Sequence, residues 1–155
     1  VWNIFREAAA NKKRLRIDTT TTQAWTQQGP LQSPVFASLE VKIRNHSKGS
    51  IYANRPTFVL SRAITTRVGE TNRLENPIKG TFPLELKPGE QSKLDYQLGP
   101  LLETIGDQLK PKDKVWIEIK DTFDNVYVSR KHTYKALQDQ VRFAEEYNRT
   151  NQKKA

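Results

Sequence analysis

Residues 35–44 alternate between apolar side chains and mostly polar ones, and this pattern constrains the fold more than any other in the chain. The apolar positions are Val35, Ala37, Leu39, Val41 and Ile43. A period of two is typical of a β-strand that buries one face and exposes the other. The pattern therefore predicts a central strand in a fold built around a sheet.

Further short runs also have strand character, with turn residues between them. They cover residues 15–22, 51–61, 82–86, 91–98, 114–120 and 126–129. Residues 45–50 have turn composition, so the runs 35–44 and 51–61 are expected to be adjacent antiparallel strands. Pro56 lacks a backbone donor, so the run 51–61 is either an edge strand or broken at Arg55. Regular spacing of short strands and Pro or Gly turns, including a type II turn at residues 87–90, favours an antiparallel β-sandwich.

Helices are expected as additions to this mainly β fold. A short crossover helix starts at Gly99-Pro100 and stops at Pro111. A longer C-terminal helix carries apolar residues at helical spacing, and a short helix is expected near Val1. The predicted organisation is a basic juxtamembrane-like helix and linker at 1–14, a β-sandwich domain at 15–135, and an amphipathic helix with a basic tail at 136–155.

The net charge of +9 is concentrated at the two ends of the chain. Residues 1–16 contain five Lys or Arg and one Glu, and residues 149–155 contain three Lys or Arg. The remaining residues carry 18 cations and 16 anions, so composition alone predicts no basic face on the body of the protein. The chain has no cysteine, which excludes disulfides and thiolate chemistry.

The N-terminal residues suggest contact with an anionic membrane surface. The chain has no methionine, so we expect a segment before Val1, and that segment could hold a membrane helix. Interfacial aromatic residues followed by a juxtamembrane basic cluster are typical of the cytoplasmic side of such a helix. The expected contact residues are Trp2, Phe5, Lys12, Lys13, Arg14 and Arg16. The alternative is a terminal helix that packs on the domain.

The order of motifs resembles a loosely defined group of bacterial proteins in which an N-terminal membrane helix precedes an immunoglobulin-like β-sandwich. The likeness is carried by residues 1–7, 39–47, 84–90 and 115–127. The resemblance implies an antiparallel immunoglobulin-like sandwich and a membrane anchor. It transfers no site, because these proteins have no catalytic motif.

No enzymatic motif is present, and we predict neither catalysis, a cofactor nor a small-molecule substrate. His46 lies in a predicted turn and His132 follows two basic residues, and neither has a nucleophile at a recognisable spacing. The oxygen-bearing residues at 121–125 are too irregularly spaced for a calcium loop, and their composition favours a hydrogen-bonded hairpin turn.

Trp116 is the candidate partner-binding residue. If Val115, Ile117 and Ile119 face the core, Trp116 faces the other way. It is then either covered by the C-terminal helix or exposed to a partner. An edge of the sandwich could also accept an extended peptide as an added strand.

Taken together, these patterns predict a noncatalytic, membrane-tethered module that binds a protein partner. Its expected location is the cytoplasmic face of the inner membrane, with a cytoplasmic protein as the alternative. Two other functions remain open from the sequence. One is a basic nucleic-acid-associated module, although charge confined to the chain ends favours nonspecific attraction. The other is a structural subunit of a larger assembly.

Overall fold

The computed structural model describes residues 14–25, 34–75 and 80–153. The elements in chain order are β1 (Leu15–Trp25), β2 (Val35–Asn45), β3 (Ile51–Ala53), β4 (Thr57–Thr66), β5 (Gly69–Glu75), β6 (Leu84–Leu86), β7 (Gln91–Gln97), α1 (Leu98–Ile105), β8 (Lys114–Lys120), β9 (Val126–Val128), β10 (His132–Thr133) and α2 (Tyr134–Lys153). The fold is mainly β with antiparallel sheets and two helices, as the sequence predicts. The helix predicted near Val1 lies outside the described residues.

The first sheet has the strand order β1-β2-β7, and β2 is its central strand as predicted. Val41, at the middle of β2, lies opposite Thr19 on β1 and Leu94 on β7. The inward positions of β2 are buried along its whole length, whereas Lys42 and Arg44 are exposed. The alternating pattern therefore does set which face of this strand enters the core.

The second sheet has the order β10-β8-β4-β5, and β9 also pairs with β8. β3 and β6 form a separate two-stranded sheet. The expectation that the runs 35–44 and 51–61 pair with each other is wrong. Both edges of β2 are occupied by β1 and β7, so the chain must leave the first sheet after Asn45.

Pro56 interrupts the run 51–61. A break in this run is one of the two predicted alternatives. β3 ends at Ala53 and β4 begins at Thr57. The type II turn is also present, because Gly89 has a φ of 77° and the backbone N–H of Glu90 donates to the carbonyl of Lys87 over 2.9 Å. A positive φ at this position is what glycine supplies without a steric penalty.

The core lies between the two sheets and is completed by the helices. Phe58 of β4 meets Tyr96 of β7 edge to face, with ring centroids 5.0 Å apart, and so joins the sheets at their centre. Helix α1 connects the first sheet to the second and buries Leu98, Leu101 and Ile105. The buried residues of α2 are Tyr134, Leu137 and Ala144, and Val141 is partly buried, so the apolar residues at helical spacing face the core as predicted.

No helix within the described part of the chain is long and apolar enough to cross a membrane. This finding concerns residues 14–25, 34–75 and 80–153. The predicted membrane anchor would lie before Val1, so it stays a prediction.

A buried histidine links the two sheets at one side of the core. His132 of β10 lies opposite Val115 of β8, and its Nε2 is 2.6 Å from the hydroxyl oxygen of Thr19 on β1. Burial lowers the pKa of His132, and the positive charge of Arg130 lowers it further. The folded protein therefore favours the neutral imidazole.

This arrangement predicts an acid-sensitive stability. The unfolded chain takes up a proton at the ordinary histidine pKa of about 6.5, whereas folded His132 resists protonation until lower pH. The contribution of neutral His132 is thus complete above about pH 6.5 and is lost as the pH falls toward the folded pKa. We expect the free energy of unfolding, measured by chemical denaturation, to decline over this window.

The matched variants are His132→Gln and His46→Gln. His46 is an exposed turn residue, so His46→Gln should keep the decline of the wild-type protein. His132→Gln should flatten it. An equal decline in the His132→Gln variant would show that the dependence arises elsewhere.

Candidate interaction surface

The candidate surface lies on the outer face of the second sheet, around Trp116. Val115, Ile117 and Ile119 are buried in the core, as predicted, so alternation directs Trp116 and Glu118 outward. Val59 of β4 lies opposite Trp116, and it also lies opposite Arg73 of β5. We use the name Trp116 face for the surface formed by Val59, Arg73, Trp116, Glu118 and Lys131.

Trp116 is half-buried, and the side chain that lies over its indole ring belongs to Lys131. The Lys131 Nζ is 4.7 Å from the ring centroid, a distance suited to a cation–π contact. Helix α2 packs mainly on β1, β2 and β10 and contributes to the core, whereas Trp116 points away from that core. The indole therefore lies beneath an exposed, charged side chain that a partner could displace.

A bidentate ion pair lies beside the tryptophan. The Arg73 guanidinium donates to both carboxylate oxygens of Glu118, over 2.7 and 3.2 Å. Glu118 is 9% exposed, whereas the Arg73 side chain is 49% exposed. Hydrogen bonding of the Arg73 guanidinium to the Glu118 carboxylate raises the pKa of Arg73. The pair joins β5 to β8 across the intervening strand β4, which contributes the buried Val59.

An open groove of about 740 Å³ adjoins this face. Its walls include Thr57, Arg73, Glu75, Glu118 and Lys120. The lining mixes both signs of charge with hydroxyl groups, and most of it comes from β4, β5 and β8. Such a lining suits a polar rim around the aromatic centre of a protein interface.

The turn between β8 and β9 is organised by Asp121, which is buried. Its Oδ1 accepts hydrogen bonds from the backbone N–H groups of Phe123 and Asn125, and its Oδ2 accepts from Asn125 Nδ2 and the Tyr127 hydroxyl, over 2.9 to 3.1 Å. The predicted hydrogen-bonding role of this turn is confirmed. Asp124 adopts a φ of 63°, which aspartate tolerates better than most residues.

The same hydrogen bonds set the pKa values in the turn. Burial by itself would raise the pKa of Asp121, but the hydrogen bonds from Asn125, Phe123 and Tyr127 outweigh it and hold the pKa below its usual range. Burial and the Asp121 charge raise the pKa of Tyr127 to about 12. Asp121 is therefore an ionised acceptor with both oxygens engaged inside the turn.

The residues predicted to contact a membrane are only partly within the described chain. Trp2, Phe5, Lys12 and Lys13 lie outside it. Arg14 directly precedes β1, and its carbonyl accepts a hydrogen bond of 2.8 Å from the His46 backbone. Arg16 is exposed on β1 and pairs with Asp18 over 3.1 Å. Arg16 belongs to the first sheet and Arg14 directly precedes it, whereas the Trp116 face is on the outer side of the second sheet.

Sequence reasoning identified Trp116 but missed the residues that surround it. The period of two on β8 gives the outward direction of Trp116 and Glu118. It does not show that Arg73 or Lys131 lies beside them, because Arg73 and Lys131 are distant from Trp116 and Glu118 in the sequence. No local signal in the sequence gives the pairing of β4 with β5 and β8 that assembles this face.

Comparison with known proteins identifies no family. No family model and no curated protein matches the chain. Among solved structures, the X-ray structure of Northeast Structural Genomics Consortium target SoR45 aligns over 78% of this chain and 86% of its own, with 10% sequence identity and a TM-score of 0.44.

The ion pair on the Trp116 face should contribute measurably to stability. In Arg73→Ala, the nearly buried Glu118 carboxylate loses its two charge-assisted hydrogen bonds, and we expect a loss of about 1 kcal/mol because water still reaches the site from the Arg73 side. The measurement is the free energy of unfolding by urea denaturation.

The matched control is Arg16→Ala. It removes a similar pair with Asp18 that is exposed on both sides, so its cost should be only a few tenths of a kcal/mol. If both variants lose the same stability, the burial of Glu118 does not strengthen the pair.

Proposed function

We propose that this protein is a noncatalytic, membrane-tethered interaction module that binds a protein partner through the Trp116 face. The observation that carries the proposal is the half-buried Trp116 ring beneath Lys131 on an outer sheet face. Tryptophan and arginine are the residues that most often dominate binding energy at protein interfaces. Here Trp116 of β8 and Arg73 of β5 lie on the two sides of the buried Val59 of β4.

The preorganisation of the face supports this role. Arg73 is held by two hydrogen bonds to Glu118, so little side-chain entropy is lost when it meets a partner. Displacement of Lys131 would expose the indole and release an ammonium group for a carboxylate of the partner. The expected partner surface is therefore an apolar or aromatic knob bordered by acidic residues.

The proposed tether places the domain at the cytoplasmic face of the inner membrane. Arg14 lies at the start of the first sheet, where the N-terminal segment with Lys12 and Lys13 enters the domain. The Trp116 face is on a different sheet from β1, so a domain docked through its N-terminal segment would leave this face to a partner. The bacterial, immunoglobulin-like character inferred from sequence belongs to the same proposal.

The histidines fit a noncatalytic role. His132 is buried and bonded to Thr19, which leaves it unsuited to reach a substrate. His46 is an exposed turn residue. Two charged residues of the Trp116 face, Arg73 and Glu118, are likewise paired with each other.

Binding to lipid tests the tether. We expect the full chain to cosediment with vesicles that contain anionic phosphatidylglycerol, to bind pure phosphatidylcholine weakly, and to be released by salt. Replacing Lys12, Lys13, Arg14 and Arg16 by Gln should abolish sedimentation, since each cation near the surface is worth about 1 kcal/mol.

A control variant that loses four other positive charges distinguishes an effect of the N-terminal segment from an effect of net charge. Arg67, Lys110, Lys112 and Lys135 are exposed elsewhere on the domain, and their replacement by Gln should leave most of the binding intact. An equal loss in both variants would mean that net charge, and not the N-terminal segment, attracts the vesicles.

Partner capture tests the Trp116 face. A photoreactive residue at Thr57, which is half-buried on the same outer face, should crosslink a defined protein in cells, and Trp116→Ala should weaken this crosslink by about tenfold or more. Thr20, on the outer face of the first sheet, is the control position for the photoreactive residue. The proposal fails if Trp116→Ala remains folded by circular dichroism and crosslinks the same protein as strongly.

A further inference from the structure

The tip of the β8–β9 turn presents the Phe123 side chain to solvent. This side chain is 80% exposed, although the turn that carries it is fixed by the four hydrogen bonds of Asp121. Val126 and Val128 follow on β9 and are 49% and 59% exposed. The apolar tip of this hairpin is therefore held in place by hydrogen bonds, and docking it would cost little conformational entropy.

This turn lies at the end of the domain where the N-terminal segment enters. The carbonyl of Arg14 accepts the His46 N–H, and a Cβ atom on Gly49 would lie 3.9 Å from a guanidinium nitrogen of Arg14. Burial and the Asp121 charge raise the pKa of Tyr127, and the nearby positive charge of Arg14 partly opposes this rise. β1 also contacts β9. Arg14 is therefore close to the β2–β3 turn and to the β8–β9 hairpin.

Tyr52 connects the two turns. It lies on β3, directly after the β2–β3 turn, and its carbonyl accepts the Thr122 N–H over 3.1 Å. Its side chain is 41% exposed. A tyrosine suits the boundary between water and lipid because its ring is apolar and its hydroxyl is polar. We use the name Phe123 end for the surface formed by Arg14, Tyr52 and residues 46–50 and 121–125.

Positive charges border the Phe123 end on the side of the first sheet. Arg44 near the end of β2 and Lys48 in the turn after it are both exposed. Arg44 lies opposite Arg16 of β1, which is one of the predicted membrane-contact residues. In the adjoining β6–β7 turn, the exposed charges of Lys87 and Glu90 offset each other. Arg44 and Lys48 are placed to approach anionic lipid headgroups beside the apolar tip.

We propose that the Phe123 end docks on an anionic bilayer and that the Phe123 ring inserts at the level of the lipid headgroups. This inference rests on the proposed membrane tether, because such a tether would hold Arg14, and with it the Phe123 end, closest to the membrane. A bilayer accepts a protruding ring without a shaped pocket, whereas a protein partner would have to supply one. The position of Phe123 beside the entry of the N-terminal segment therefore favours lipid.

Docking in this orientation leaves the Trp116 face accessible. Trp116 precedes Lys120, the last residue of β8, by four positions. At the rise of a β-strand, this separation places Trp116 about 13 Å from the turn. The bilayer and the proposed protein partner would therefore contact different parts of the second sheet.

The absence of cysteine allows an environment-sensitive dye, NBD, to be attached at one chosen position. Thr122→Cys places it next to Phe123, and Val68→Cys places it at the tip of the β4–β5 hairpin, where Val68 is 96% exposed. β4 runs antiparallel to β8, so this hairpin lies at the opposite end from the β8–β9 turn. The full chain is held on vesicles of phosphatidylcholine and phosphatidylglycerol by an N-terminal hexahistidine tag and a nickel-chelating lipid. The tag replaces the proposed tether, so the test does not depend on that tether.

The NBD emission should shift to shorter wavelength at position 122 and stay unchanged at position 68. In the chain labelled at position 122, Phe123→Ser should lower the ratio of inserted to free turn about tenfold, because a serine gains little on leaving water. Phe143→Ser is the matched control, since Phe143 is 59% exposed on α2, and it should leave the ratio unchanged. Asp124→Asn should raise the ratio, because it removes an exposed negative charge beside Phe123 and asparagine tolerates the φ of 63°.

Equal shifts at the two labelled positions, an undiminished shift in Phe123→Ser, or no shift at either position in folded protein would each overturn the insertion. Sedimentation of the untagged chain with the same vesicles, without the nickel-chelating lipid, separates this failure from failure of the tether. Sedimentation without an NBD shift would support the tether and overturn the insertion. An NBD shift without sedimentation of the untagged chain would support the insertion and overturn the tether.

Discussion

The buried side chain of Asn45 holds the corner at which the chain leaves the first sheet. Its amide nitrogen donates to the carbonyls of Gly49 and Leu86, each over 2.8 Å, and its carbonyl oxygen accepts from the backbone and hydroxyl of Ser47. All four hydrogen-bonding positions of the amide are used, which is what burial of a polar group requires. The side chain of Asn45 thus connects β2, the turn after it and β6. This turn is where the chain leaves the first sheet.

The position of that corner decides which faces of the protein are free. The chain leaves the first sheet before β3. Further on, β4 pairs with β5 and β8 and brings Phe58 against Tyr96 across the core. Both helices contribute buried residues to this same core. The outer face of the second sheet therefore presents the side chains of Trp116, Arg73 and Lys131.

The β8–β9 hairpin supports the strand that carries Trp116. Asp121 fixes its turn through four hydrogen bonds, so β9 is held in register even though it has only three residues. Trp116 lies on β8, and the exposed valines lie on β9.

The sequence by itself determined the elements whose cause is local. Alternation identified β2 and β8 and their buried faces, Pro56 identified the interruption before β4, and Gly89 identified its turn. Only the tertiary structure decided that β2 pairs with β1 and β7 and that Arg73 meets Glu118. Many strand pairings bury the same alternating residues equally well, so the choice among them depends on contacts between distant parts of the chain, such as those made by Asn45.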